Sequence, residues 1–143
     1  MKNILISACL CGAACRYDGK SCSYPQVEKL KEKYNLIPVC PEVLGGLPIP
    51  RIPSERRGDR VVNASGDDVT ENYKSGAFAV YDAAKKHCCE IAVLKEKSPA
   101  CGTHMIYDGT FSRTLVLGRG VCAEYLMGKG IAAFSEEEIE KLI

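Results

Sequence analysis

An excess of charge of either sign is missing from this sequence. Lysine and arginine number 19 against 18 aspartates and glutamates, a formal net charge of +1. No basic excess therefore argues for a nucleic-acid partner, and no lysine-rich helix argues for a membrane surface. Long apolar runs are missing too, since nothing approaches the ~20 consecutive apolar residues of a membrane-spanning helix. The N-terminal stretch MKNILISACLCGAAC has one lysine, small residues and an apolar run from Ile4 to Leu10. Ser7 breaks that run, which is short for an export signal; a strand leading into a Cys/Gly loop accounts for the same letters. Low-complexity tracts, linkers and internal repeats are absent, the RYDG and IYDG segments sharing a turn and nothing around it. What remains is a chain of 143 residues, 46% apolar and 26% charged, expected to form one domain over 1–143 with one hydrophobic core. It is expected to be cytoplasmic, a monomer or small homo-oligomer, with no nucleic-acid or membrane partner.

Against these absences stand nine cysteines. The count is odd, so a disulfide framework would leave a thiol over, and in a reducing cytosol clustered thiols are more often metal ligands, catalytic groups or redox groups. No C-x-x-C pair or C-x-x-C-x-x-C run occurs, which argues against a zinc ribbon and an ordinary ferredoxin. Several cysteines are expected to be small apolar fillers, Cys88 and Cys122 among them.

Apolar periodicity lays out the rest. Lys2 to Cys9 reads as a buried strand, Pro25 to Tyr34 as a helix and Leu36 to Cys40 as a second strand. The following segment, with Gly45, Gly46, Pro48, Pro50 and Pro53, has too many breakers for regular structure. Arg60 to Asn63 reads as a short edge strand, Glu71 to Cys88 as the longest helix and Ile91 to Leu94 as a third core strand. A small hairpin is expected between Met105–Tyr107 and Thr110–Phe111 across Asp108–Gly109. Gly120 to Lys129 is a helix, Ile131 to Phe134 a fourth core strand, and Ser135 with Glu138 fits a capping box opening a last helix. Alternating strands and helices predict an α/β fold, a Rossmann-like or flavodoxin-like three-layer sandwich on a mostly parallel sheet of four to five strands.

Open parallel sheets bind ligands beyond the carboxyl ends of their strands. Cys9 closes the first strand, Cys40 the second, and Cys101 lies in the loop leaving the third. Gly12, Pro41 and Gly102 follow them, residues that stiffen loops and let backbone approach a bulky group. Three strand-end cysteines on one rim make a candidate metal centre. A zinc site built from Cys9, Cys15, Cys40 and Cys101 stays open beside a cluster on three cysteines.

The segments SACLCGAACRYDG, PVCPEVLGGLPIPR and KEKSPACG, followed by MIYDGTF and GRGVCAEYL, resemble the thiouracil desulfidase family over nearly the whole chain. The resemblance implies a [4Fe–4S] cluster on Cys9, Cys40 and Cys101, and removal of sulfur from a small-molecule thio-substrate such as 2-thiouracil. It implies catalytic positions at Glu42 in CPEVLGG and Ser98 in KSPAC. Cys15 belongs to the motif, its role open between fourth ligand, redox partner and packed thiol. Cys11 stands where the family usually has leucine, and Cys22 and the pair Cys88–Cys89 also depart from the pattern.

Other residues have plainer readings beside functional ones. Glu42 alone would be a solvated loop carboxylate, and Ser98 alone a helix cap or turn hydroxyl before Pro99. Lys95, Lys97, Arg16 and Arg51 can ring the site with positive charge, and Tyr17, Tyr107 and Phe111 can wall a pocket for a planar base. His104 reads as a surface or hydrogen-bonded residue before it reads as a ligand. Two rival functions differ in class: a sulfur or iron–sulfur carrier, and a zinc-stabilised domain without catalysis.

Overall fold

The structure, a computed structural model, describes residues 1–143. In chain order its elements are β1 (Lys2–Ser7), α1 (Val27–Lys31), β2 (Tyr34–Val39), α2 (Pro41–Leu44), β3 (Ser54–Arg57), β4 (Arg60–Asn63), α3 (Thr70–Lys86), β5 (Ile91–Leu94), β6 (Met105–Tyr107), β7 (Leu115–Leu117), α4 (Val121–Gly128) and β8 (Ala132–Ser135). Single 3-10 turns cover Ala8–Cys11 and Glu136–Leu142.

Four strands pair in the order β2-β1-β5-β8, all parallel. Successive side chains of a strand point to opposite faces, and both faces of this sheet are covered. Leu5, Ala92 and Leu94 pack under α3 and α4 with Tyr73, Val80 and Leu126. Ile4, Ile6 and Val93 pack on the other side against Leu10, Val27, Leu30 and Ile139. This is the three-layer α/β sandwich expected from the alternation of elements. Counting only the strands of the sheet, the order is 2-1-3-4, the flavodoxin-like arrangement, which places the topological switch point between β1 and β5.

Several boundaries differ from expectation. The first strand stops at Ser7, and Cys9 sits in the 3-10 turn beyond it. The first helix is five residues long, and Tyr34 opens β2 instead of closing the helix. The breaker-rich segment begins with the single-turn helix α2, whose Pro41 occupies the first helical turn, where a missing N–H costs nothing. The strand β3, rich in arginine, has no apolar alternation to betray it and is defined by antiparallel pairing with β4. Met105–Tyr107 pairs not with Thr110–Phe111 but with Leu115–Leu117. The N–H groups of Gly109 and Phe111 are taken by the Glu55 carboxylate, and that of Thr110 by Asp108, so the segment has no donors left for a ladder. The capping box at Ser135 is present as expected, its hydroxyl and Glu138 bonding reciprocally to backbone.

One close approach carries the fold to the site. α2 lies across α3 with the Pro41 carbonyl so near Gly76 that a Cβ there would overlap it. In an exposed helix interior, replacing glycine by alanine gains about 1 kcal/mol. Here Gly76→Ala is expected to lower stability instead, by roughly 1–3 kcal/mol, as overpacking does. Urea denaturation measures the sign, and a more stable variant would mean that the two helices do not touch.

Candidate functional site

Three adjacent strands, β2, β1 and β5, end side by side, and each releases one cysteine at its carboxyl end. Cys40 sits at the N-cap of α2, Cys9 in the 3-10 turn after β1 and Cys101 in the loop after β5. All three line one cleft of about 670 Å³, together with Glu42 and Ser98. Cys9, Cys40, Cys101, Glu42 and Ser98 therefore border the same space. Cys15 and Cys22 line it too, whereas Cys11 is exposed and Cys122 is buried.

The thiols are near enough to feel one another. Burial pushes Cys9 up to about 12, and Cys15, Cys22 and Cys40 add to the effect while Lys95 opposes it. Burial and the neighbouring Cys40 raise Cys15 to about 11. Cys101 is held well above the ordinary thiol value by burial, with Cys122 and Cys9 contributing. Without metal these groups are therefore neutral near pH 7. No three His, Cys, Asp or Glu side chains are gathered tightly enough for a single metal ion. The donors are soft thiols set on three separate strand ends around the cleft, a donor set that iron–sulfur clusters take. Three soft thiol donors at one rim, with space between them, fit an iron–sulfur cluster.

The carboxylate of Glu42 is fixed from two sides. Its Oε2 accepts a hydrogen bond of 2.5 Å from the Tyr73 hydroxyl, and its Oε1 lies 3.4 Å from Nη2 of Arg51. Burial and then the adjacent Glu42 raise the Tyr73 phenol far above its usual range, so it remains a donor. The Arg51 side chain is only 5% exposed, donates to the carbonyls of Cys15 and Pro48, and has a buried Nε without a partner. Ser98 accepts from the backbone N–H of Ala100 and of Cys101, both at 3.0 Å. Its turn role is thus present, and it leaves the hydroxyl proton free to donate.

Two further carboxylates build the loop that carries Cys101. Glu96, buried, accepts backbone N–H groups from Lys97, Thr103, His104 and Met105. Burial works to raise its pKa, but these donors outweigh it and the net shift is downward. Glu136 accepts the N–H of Glu96 at 2.7 Å and pairs with Lys95 at 3.0 Å. Burial tends to lower Lys95; Glu136, with Cys22 and Cys9, raises it overall.

Lys95, Lys97, Arg16 and Arg51 line the cleft, as do Tyr17, Tyr107 and Phe111. His104 does not; it is exposed and bonded to Thr103 and Glu96, as its plainer reading has it. Cys88 is a correction: it was expected to pack, but α3 ends at Lys86 and Cys88 lies exposed with φ of 54°, leaving Cys89 as the buried member of the pair. The sequence does not single out Tyr73, Glu96, Glu55 or Ser7, whose hydroxyl accepts the Lys95 N–H at 2.9 Å. Tyr73 sits on the apolar face of α3, and the others have no motif; only a buried phenol, needing a partner for its hydroxyl, offered a signal.

Comparison with known proteins bears on this arrangement. The sequence model described as 2-thiouracil desulfurase matches residues 4–138. The chain is 39% identical over 150 residues to an uncharacterized protein, YbbK, of Bacillus subtilis strain 168, covering 98% of this chain and 99% of that one. A solved structure described as the [4Fe–4S]-dependent thiouracil desulfidase TudS matches with a TM-score of 0.94 and 39% identity, over 99% of this chain and 95% of that chain.

The crowded thiols make the metal-free protein sensitive to alkali. Unfolded thiols ionise near the ordinary 9.0, whereas Cys9 holds its proton to about 12 and Cys15 to about 11. Above pH 9 the unfolded chain releases protons that the folded chain keeps, so alkali favours unfolding. Their contribution to stability is complete below about pH 9 and lost as pH climbs toward the folded values. Thermal midpoints of metal-free protein should fall steadily between those limits; a midpoint flat or rising there would contradict the neutral, buried state of these thiols.

Proposed function

This chain belongs to the 2-thiouracil desulfurase family, and we propose that it is a [4Fe–4S]-dependent desulfidase that converts thiolated pyrimidines such as 2-thiouracil to the oxo-base and sulfide. Convergence of Cys9, Cys40 and Cys101 on the cleft that also holds Glu42 and Ser98 is the observation that carries the reading. The reaction is a non-redox exchange: the carbon–sulfur bond breaks, water supplies the new oxygen, and its protons leave with sulfide.

Cys9, Cys40 and Cys101 hold the cluster. When bound there, the cluster would supply a Lewis acid for the thiocarbonyl sulfur. Glu42 takes a proton from the attacking water. Tyr73 pins Oε2 closely, so Oε1, held only by the longer Arg51 contact, is the oxygen left to accept it. Ser98, its oxygen occupied by two backbone donors, gives its own proton to orient the substrate. A carrier would need the thiols but neither of these groups. Nine free cysteines suit a reducing cytoplasm, and no helix is long and apolar enough to cross a membrane.

Iron and sulfide analysis of anaerobically isolated protein, followed by conversion of 2-thiouracil to uracil, tests the whole reading. A loaded protein without turnover would be a carrier; zinc in place of iron would end both. Cys9→Ala, Cys40→Ala and Cys101→Ala are each expected to lose the cluster, whereas Cys11→Ala, Cys22→Ala and Cys122→Ala keep it. Full iron content in any of the first three would remove that cysteine from the ligand set.

Glu42→Gln retains size but cannot take the proton. With cluster content unchanged, its turnover should fall by roughly two to four orders of magnitude, the contribution of one positioned proton-transfer group. Ser98→Ala should lose less in turnover, but it also frees the Cys101 N–H and should lower iron retention. Near-parent turnover by loaded Glu42→Gln would leave proton transfer to another group.

A further inference from the structure

Phe111 occupies a backbone conformation that a bulky residue avoids. Its φ is 58°, and Arg113, two residues on, has φ of 61°. Left-handed backbone at a residue other than glycine persists only where surrounding structure over-determines it, and such positions cluster at ligand sites. Here the over-determination is visible. Glu55 Oε1 accepts the N–H of Gly109 at 3.0 Å and of Phe111 at 3.1 Å. Arg57, on the same strand β3, donates from Nε to the Gly109 carbonyl at 2.6 Å. Gly109 has φ of 94°, and a Cβ there would overlap the Arg57 side chain. The strand therefore grips the turn through both a carboxylate and a guanidinium.

What the grip presents is an aromatic ring. Phe111 is half-buried on the wall of the thiol-lined cleft, with Tyr107 and Arg113 beside it. The Arg57 guanidinium carbon lies 6.0 Å from the ring centroid. The polar groups of the cleft, Glu42, Ser98 and Lys95 among them, can address the edges of a heterocycle but not its face. Of the three aromatic rings on the cleft wall, Tyr17, Tyr107 and Phe111, only Phe111 has no hydroxyl and is fixed through its own backbone by a neighbouring carboxylate; aromatic rings bind bases by stacking whatever the substituents on the edge.

We propose that Phe111 is the surface on which the thiolated heterocycle stacks, and that Glu55 is the positioning residue that holds it there. The inference rests on the desulfidase reading and adds to it a determinant of substrate class: planar ring, tolerant of where the thio group sits.

Holoenzyme variants separate stacking from mere bulk. Phe111→Leu keeps apolar volume but has no flat face; its KM for 2-thiouracil should rise about 10- to 100-fold, with kcat changed by no more than about threefold. Phe111→Tyr should stay near the parent. Glu55→Ala should reproduce the KM rise at unchanged iron content, and Glu55→Gln, which retains an accepting oxygen, should restore most of it. The sequence contains no tryptophan, so Phe111→Trp places a sole indole reporter at this position. Its emission should be quenched saturably by 2-thiouracil or uracil. Parent-like KM in Phe111→Leu, or a fall in kcat without a rise in KM, overturns the proposal while leaving the desulfidase reading intact. If the parent protein does not turn over 2-thiouracil, the desulfidase reading fails, and the tryptophan titration alone decides: saturable quenching supports stacking, and flat emission rules it out.

Discussion

The parallel pairing of β1 with β2 on one side and β5 on the other is the constraint on which the site depends. Ser7 stands opposite Val39 and Ile6 opposite Val93, so neighbouring strands end at the same level, about 5 Å apart across each ladder. Cysteines placed one or two residues beyond β1 and β2, and in the loop beyond β5, then reach one rim. The register is locked by burial, because Ile4 and Ile6 serve one core face and Leu5 the other. A slip of one residue would exchange those faces and carry Cys9 or Cys40 away from the rim. Core packing and thiol placement are therefore a single specification.

Three carboxylates that line the cleft, with Glu136 behind them, differ in what they accept. Glu96, Glu136 and Glu55 accept backbone N–H groups, with Lys95 also on Glu136 and Thr103 also on Glu96, which secures loops that no regular ladder holds. Glu42 is held by the side chains of Tyr73 and Arg51. Glu42 meets no backbone donor, and its Oε1 has only the longer Arg51 contact. Ser98 serves in both ways, with its oxygen engaged by the Cys101 loop and its proton uncommitted. Arg51 joins the two halves, since one guanidinium meets both Glu42 and the Cys15 carbonyl.

The strands of the sheet, the long helix α3 and the last capping box were legible because each has a strong local signal: an apolar run, a 3.6-residue period, or Ser135 with Glu138 three residues later. The cysteine rim was legible because parallel strands must end on one side. What escaped the sequence was held by tertiary contacts without local pattern. The helix α2 hides among prolines and glycines and exists against Gly76 of α3. The strand β3 has the letters of a solvated loop, yet its Glu55 and Arg57 shape the 109–111 turn and move the hairpin partner to Leu115–Leu117. Cys88 was taken for a packed residue because its period matched α3, but a helix that stops two residues earlier releases it to solvent.

The thiols at the rim belong to the packing as well as to the cleft. Apolar layers cover both sheet faces and take in the rim cysteines, Cys101 on the α3 and α4 side and Cys9 and Cys15 on the other. Protonated thiols can be crowded at modest cost; three thiolates in the same place repel, and burial opposes each charge. Lys95 opposes the rise at Cys9 and is itself kept charged by Glu136, but one ammonium does not offset three thiolates. Arg16 reaches Cys22 and Arg51 eases the rise at Cys15, and metal bound as thiolate would release the protons these thiols hold. The neutral thiols, the cations beside them and the carboxylate of Glu42 thus border one cleft, where charge on any of them is balanced by its neighbours and not by solvent alone.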